Sequence, residues 1–309
     1  MTAHTTSELS DVATCSSNTR SHIFRKTVQI IISARLLSKV PRKKREQLAL
    51  DISIVALGIR VGYLFDVFPV RHFGNDAVQA LTRFLNDLRE EILEYRDVIV
   101  VLDPVFEQYF FVNAKMLLSE NNVDATSPPW TAFVLLSQPP KLSFNMPSGV
   151  RELLSDLLLT IHGHFDSEQY EGPRYPPLVH LSSPQSETNR KVTSSADMIP
   201  LAAILLEYPI AYVPLDEQQT DFLPRTELDV FECILHLPEG VFSDEEREHV
   251  FMKFSCPRVL DAEDPSNTYW SEDVEQRLLS RFGPRAQRIG IGGRMHVRRY
   301  QEVFDRVAL

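Results

Sequence analysis

Two short apolar runs, each ending at an aspartate, constrain this chain most: Tyr63-Leu64-Phe65-Asp66 and Val98-Ile99-Val100-Val101-Leu102-Asp103. Both are too short for a helix, and the residues are aromatic or largely β-branched, so each reads as a buried strand. Between them Val78, Leu81, Leu85, Leu88 and Ile92 recur at helical spacing inside the segment Asp76 to Tyr95. Strand, helix and strand in that order predict a right-handed crossover and a parallel pair. Open α/β sheets hold ligands at the carboxyl ends of their strands, which makes Asp66 and Asp103 the first candidate site residues.

The remaining pattern extends this unit into a mixed α/β domain over residues 41–256. Pro41 opens a helix with Leu48, Ile52 and Val55 on one face, and Val150 to Ile161 and Met198 to Leu206 read as further helices. Strands are expected at Tyr109 to Val112, antiparallel to its predecessor across a short turn, and at Phe133 to Ser137, Leu178 to Leu181, Ile210 to Val213 and Leu228 to Leu237. Ser182 to Ser195 is polar without period and reads as a surface excursion. Upstream, Phe24, Val28, Ile32 and Leu36, widened by Ile31, form the stripe of an amphipathic docking helix over 22–40. Residues 1–21 are rich in Ser and Thr and too poor in apolar surface to offset ordering entropy, so a disordered tail is expected.

Downstream, residues 257–309 read as a small appended helical and extended lobe. A capping box at Ser243-Asp244-Glu245-Glu246 announces a helix, as does Ser271 before Glu272 and Asp273. Gly283-Pro284 is expected to stop the second of these.

Charge and cysteine usage narrow the function classes. The chain has 309 residues, 43% of them apolar, and 42 acidic against 32 basic groups give a formal charge of −10. Such an acidic body repels phosphate backbones and anionic lipid, which argues against nucleic acid as a partner. Cys15, Cys233 and Cys256 fit neither a disulfide framework nor a paired metal spacing, so a reducing, cytoplasmic setting is expected, with Cys233 an inert core thiol. No apolar run reaches the ~18 residues of a membrane span.

The basic groups gather near the start. Pro41-Arg42-Lys43-Lys44-Arg45 has the composition of a nuclear-import signal, which would make an import receptor a partner. As the first turn of a helix, these four cations would oppose the dipole. The Arg-bearing helix behind a Ser/Thr-rich start also resembles a mitochondrial presequence, an alternative that Glu8 and Asp11 weaken.

Two readings attach to each site candidate. Asp66 and Asp103 as paired carboxylates could bind a divalent cation or position a water. The plainer reading is that each caps the loop after it. Neither has the second aspartate two residues on that a phosphoryl-transfer nucleophile would use; Phe68 and Val105 stand there. His162-Gly163-His164-Phe165-Asp166, with His180 near in sequence, is the one metal-like cluster, making His162, His164 and Asp166 candidate ligands. Its plainer reading is a helix C-terminus with Gly163 as cap. Ile289 to Arg294 could offer backbone N–H groups to an anion, yet it lacks the glycine spacing and Lys-Ser/Thr of a phosphate loop and reads as a turn. Gly-x-Ser-x-Gly, His-Glu-x-x-His and Cys-x-x-Cys are absent.

Three segments together resemble an uncharacterised eukaryotic family known mainly through a human open reading frame on chromosome one: Ala56 to Asp66, Leu205 to Tyr212, and Leu228 to Leu237. The resemblance spans residues 45–240 and implies one domain. That family has no established activity, so it implies no catalytic residues and no cofactor. The leading expectation is therefore an intracellular protein without catalysis of its own, acting through a protein partner. The alternative is a metal-dependent, hydrolase-like enzyme using Asp66, Asp103, His162 and His164 around a divalent ion.

Overall fold

The C-terminal part of one helix is enclosed on every side and organises the rest. In the computed structural model, which describes residues 22–70, 76–121, 130–163, 175–181, 194–216, 219, 223, 225–237, 248–258, 272–288 and 295–303, helix α2 (Arg42–Ala56) is buried at every position from Leu48 to Ala56. Leu48, Ile52 and Val55 pack into one apolar cluster, as their shared face predicts, while Leu50 and Ile54 enter a second. Each fully buried Leu or Ile contributes about 1.5–3 kcal/mol, so this helix ties two cores together. It ends in a Schellman turn on Gly58 (φ +69°), where Ile59 N–H bonds to Ile54 C=O and Gly58 N–H to Val55 C=O.

Helix α1 (22–33) lies across the same two cores, with Ile23, Val28 and Ile31 in the first and Phe24 in the second. The expected stripe fails at Leu36, which is exposed. The helix stops at Ser33, and a 3₁₀ turn at Arg35–Leu37 resets the period so that Leu37 turns inward. The basic run that follows is tied into the fold. Arg42 pairs with Glu46 at 2.8 Å, Lys44 donates to Val67 C=O at 2.9 Å, and Arg45 donates to Ile32 C=O at 2.5 Å.

The first sheet has the order β1-β3-β2-β6, from β1 (Gly62–Leu64), β2 (Val98–Asp103), β3 (Gln108–Asn113) and β6 (Leu178–His180). Strands β1 and β2 run in the same direction with α3 (Ala77–Glu91) between them in sequence, but they are not neighbours. Strand β3 folds back from β2 and inserts between the two, antiparallel to both. The expected β1–β2 pair is thus replaced by two antiparallel pairs, and the parallel neighbour of β2 is β6. Helix α3 starts on Asp76, which accepts from Gln79 N–H at 2.8 Å. It gives way after Glu91 to a 3₁₀ turn, Leu93–Asp97.

Helix α4 (Ala114–Asn121) follows β3, and α5 (Ser148–Gly163) and α6 (Ser195–Leu205) pack on each other. The second sheet, β5-β4-β7, joins β5 (Lys141–Ser143), β4 (Ala132–Leu135) and β7 (Ile210–Val213). The third, β10-β8-β9, is antiparallel throughout: β8 (Glu227–His236) lies between β9 (Glu248–Pro257) and β10 (Met295–Val303). A bulge shifts the β8–β9 register between Cys233 and Ile234, and the guanidinium of Arg60 donates to the carbonyl of Phe251 there, at 2.6 Å. The capping-box residues 243–246 lie outside the described residues. From Glu248 the chain is strand, not the helix such a box announces.

Helix α7 (Glu272–Arg288) runs through Gly283-Pro284 instead of stopping there. Proline removes one N–H from the ladder, but the next turn is held from outside by the side chain of Arg285. Val274, Leu278, Phe282 and Ala286, four residues apart, are all buried in the second cluster. The C-terminal helical and extended segment is joined to the domain by this face and by the full length of the β8–β10 pairing.

A buried carboxylate locks α7 in place. Glu207 follows α6 in a second Schellman turn, with Tyr208 N–H on Ala203 C=O and Glu207 N–H on Ile204 C=O. It occupies the left-handed position (φ +52°) that glycine ordinarily fills. Its Oε2 accepts from Val61 N–H at 2.6 Å, and Oε1 takes Arg281 at 2.7 Å and Arg285 at 2.9 Å. Glu120 supplies the second anion to both guanidiniums, and Arg281 stacks on the Trp130 ring at 4.4 Å.

Candidate functional site

A cavity of about 670 Å³ opens where the three sheets approach one another beneath α6. Helix α6 is apolar on nearly every side, so it can face the core on one side and line a cavity on another. Its Met198, Ile199 and Ala202 form one wall, with Leu64 and Gln108 of the first sheet at one end. Val230, Lys253 and Ser255 of the third sheet close the other end. Two of the polar groups at the rim are already engaged. Tyr212 donates to Ser255 C=O at 2.9 Å, and burial pushes its phenol well above the usual range. Lys253 is paired with Glu232 at 3.2 Å.

From that rim a row of charged and imidazole side chains crosses the outer face of the third sheet. Registers Glu232↔Lys253, Glu232↔Arg298, Ile234↔His296 and His236↔Glu248 put them on one face. Arg298 bridges Glu232 at 3.2 Å and Glu248 at 3.4 Å. The other oxygen of Glu248 lies 3.8 Å from His236 Nδ1, and His236 Nε2 lies 3.0 Å from His296 Nδ1. Burial would raise the Glu232 carboxyl, but Lys253, Tyr300 and Arg298 outweigh it and hold the group below the usual range. Tyr300 and Glu232 in turn hold the Lys253 ammonium above its ordinary value.

The two aspartates that end β1 and β2 do not meet. One intervening strand separates them, about 10 Å between backbones at ordinary sheet spacing, and neither belongs to the group of potential metal ligands found among the described residues. Asp66 is exposed and accepts a long 3.4 Å bond from the Tyr63 hydroxyl. Partial burial and the nearby Asp51 carboxylate raise its pKa. Asp51 itself is bound on the central helix by His249 at 2.8 Å. Asp103 is fully buried and caps the hairpin turn: Oδ1 accepts from Val105 N–H at 2.9 Å and Phe106 N–H at 3.4 Å, and Oδ2 has no partner among the described residues. The turn it shapes carries Phe106 to the cavity mouth, so Asp103 positions a lining residue without lining the cavity itself.

A stability test follows. Burial raises the Asp103 pKa despite the turn bonds, so the native chain holds that proton more tightly than the unfolded chain. The charged form therefore lowers stability as pH rises through the interval opening near about pH 4. Asp103→Asn keeps the Oδ1 acceptor and is expected to flatten that slope and be at least as stable as wild type at pH 7. Asp103→Ala is expected to lose about 1 kcal/mol in urea denaturation.

His162 lies exposed in the last turn of α5, and His180 is exposed at the end of β6. His164 and Asp166 lie outside the described residues, as do residues 1–21, 182–193 and 289–294. Cys233 and Cys256 are buried in the third sheet, and burial pushes each thiol up to about 12, so neither is a nucleophile at neutral pH. None of the described helices is long and apolar enough to cross a membrane. Comparison with family models, curated proteins and solved structures finds no match to this chain.

Sequence reasoning missed both the cavity and the imidazole row. Cavity walls come from α6 and three sheets, so no local window contains them. His236, Glu248 and His296 belong to three separate strands, so no local spacing marks them either.

Proposed function

We propose that the protein is a non-catalytic binding domain that takes an uncharged, largely apolar small molecule into the cavity under α6. The cavity itself carries this reading. At about 670 Å³ it falls within the size of small-molecule pockets, and its walls are mainly aliphatic and aromatic. The rim charges cancel in the Lys253–Glu232 pair, which favours a neutral ligand that hydrogen-bonds to groups such as Gln108 and Ser255. This keeps the non-catalytic expectation of the sequence but puts a small-molecule ligand in place of its protein partner. The hydrolase alternative has less support, because β3 separates Asp66 from Asp103. The import-receptor reading is weakened by the contacts that hold Arg42, Lys44 and Arg45.

Titration with the neutral solvatochromic dye Nile red tests the proposal. Wild type is expected to bind one dye per chain saturably, with a blue-shifted emission. Ala202→Trp and Val230→Trp, filling the cavity from opposite walls, are expected to weaken binding at least about tenfold with unchanged circular dichroism. Absence of saturable binding by wild type, or equal binding by a folded variant, overturns it.

A further inference from the structure

We propose that His236, Glu248 and His296 form a divalent transition-metal site on the outer face of the third sheet, with zinc as the ion it takes. Three strands each deliver one ligand to the same spot. His236 of β8 and Glu248 of β9 are direct cross-strand partners, and His296 of β10 stands opposite Ile234, one step along the same face. One ligand atom from each residue can be chosen so that all three lie within 4.8 Å of one another.

The separations suit a small ion. Zinc bonds of about 2.0–2.1 Å to imidazole set neighbouring tetrahedral ligands about 3.3 Å apart. His236 Nε2 and His296 Nδ1 are 3.0 Å apart, with ring centroids at 4.9 Å and planes 30° from parallel. Small side-chain rotations bring the pair to that spacing and swing the Glu248 carboxylate in. The strands do not need to move.

The surroundings favour ligation over chance proximity. A contact between two neutral imidazoles satisfies one nitrogen on each with a single hydrogen bond. Protonating both rings would set two cations at that distance. A bound cation takes a lone pair from each ring and adds the carboxylate. Arg298 holds the far oxygen of Glu248 at 3.4 Å, leaving the near oxygen turned to His236. Outer hydrogen bonds of this kind orient ligating carboxylates in metal proteins. The His236 side chain is 39% exposed and that of Glu248 47%, so an ion can enter from solvent. Three protein ligands leave a coordination position for water, the open arrangement of two imidazoles and one carboxylate.

This inference is independent of the cavity reading. Full-length chain, stripped with a chelator, is titrated with zinc alone by calorimetry and by competition with a chromophoric chelator. One zinc per chain is expected, together with a zinc-dependent rise in melting temperature. Cobalt in place of zinc is expected to give the intense visible absorption of four-coordinate Co²⁺. His236→Ala, His296→Ala and Glu248→Gln are each expected to weaken zinc binding at least about tenfold. Ala202→Trp is expected to bind zinc as wild type does, so failure of one proposal leaves the other standing. His162→Ala with His164→Ala is likewise expected to change nothing. No saturable binding by wild type overturns the proposal. So does binding that survives His236→Ala with His296→Ala, or that disappears instead in the His162, His164 variant.

Discussion

Glu207→Ala is expected to destabilise the fold by about 3–5 kcal/mol, the cost of leaving buried cations without their partner. Arg285 and Arg281 converge on Oε1 of this carboxylate, and both belong to the helix that fills the second core. Val61 N–H loses its acceptor at the same stroke. Urea denaturation checks this as a lowered midpoint with an unchanged slope. Two further variants separate the causes. Glu207→Gln keeps an acceptor for Val61 but removes the charge, so it should fall between wild type and alanine. Glu207→Gly also loses the carboxylate, yet it relieves the left-handed backbone and should exceed alanine by about 1 kcal/mol. A loss below about 1 kcal/mol in Glu207→Ala would show that Glu120, with the Ile59 carbonyl that takes Arg285 at 3.2 Å, suffices for the two guanidiniums.

Phe282→Ala is expected to cost about 3–5 kcal/mol. The ring is fully buried on α7 and meets Trp130 at 6.0 Å and Phe251 at 5.6 Å, both edge to face. Its removal opens a void bounded by two large aromatics that cannot collapse without dragging their backbones. Thermal melts of this variant should show one cooperative transition at a lower temperature. An early, separate transition for the C-terminal region would instead mean that α7 unfolds by itself and that its packing adds little to the rest.

Where a local pattern was strong, the fold was legible. Val78, Leu81, Leu85 and Leu88 mark α3, and the unbroken apolar run from Val98 marks β2, because helical period and strand-length burial are properties of neighbouring residues. Strand order is not such a property. That β3 lies between β1 and β2 depends on which side of β2 the hairpin folds to, and nothing in Tyr109 to Val112 encodes that choice. Strand β10 escaped notice for another reason. It is an edge strand that carries Arg298, Arg299, Gln301 and Glu302, and its contribution is made through register with β8.

The candidate site divides the same way. Asp66 and Asp103 were visible because each ends an apolar run; Asp103 caps the turn beyond its strand, whereas Asp66 only meets the Tyr63 hydroxyl. His162-Gly163-His164 drew attention through short spacing, whereas His236, Glu248 and His296 come from three strands, where separation in sequence carries no signal. Glu207 was hidden by a local rule: the residue after a helix in this turn is expected to be glycine, and a carboxylate stands there. Its role joins two of the segments that carried the family resemblance, since Val61 belongs to one and Glu207 to the other.

That carboxylate also sets an order of events in making the protein. Val61, Glu207 and Arg285 stand far apart along the chain, and a ribosome releases them in turn. Until α7 emerges, α6 and β1 can meet only around an anion that lacks its cations, so the nascent chain has no fully neutralised interior to close. Consolidation of this interior therefore waits for α7, and a chain made only as far as α6 is the form most exposed to chaperones and proteases.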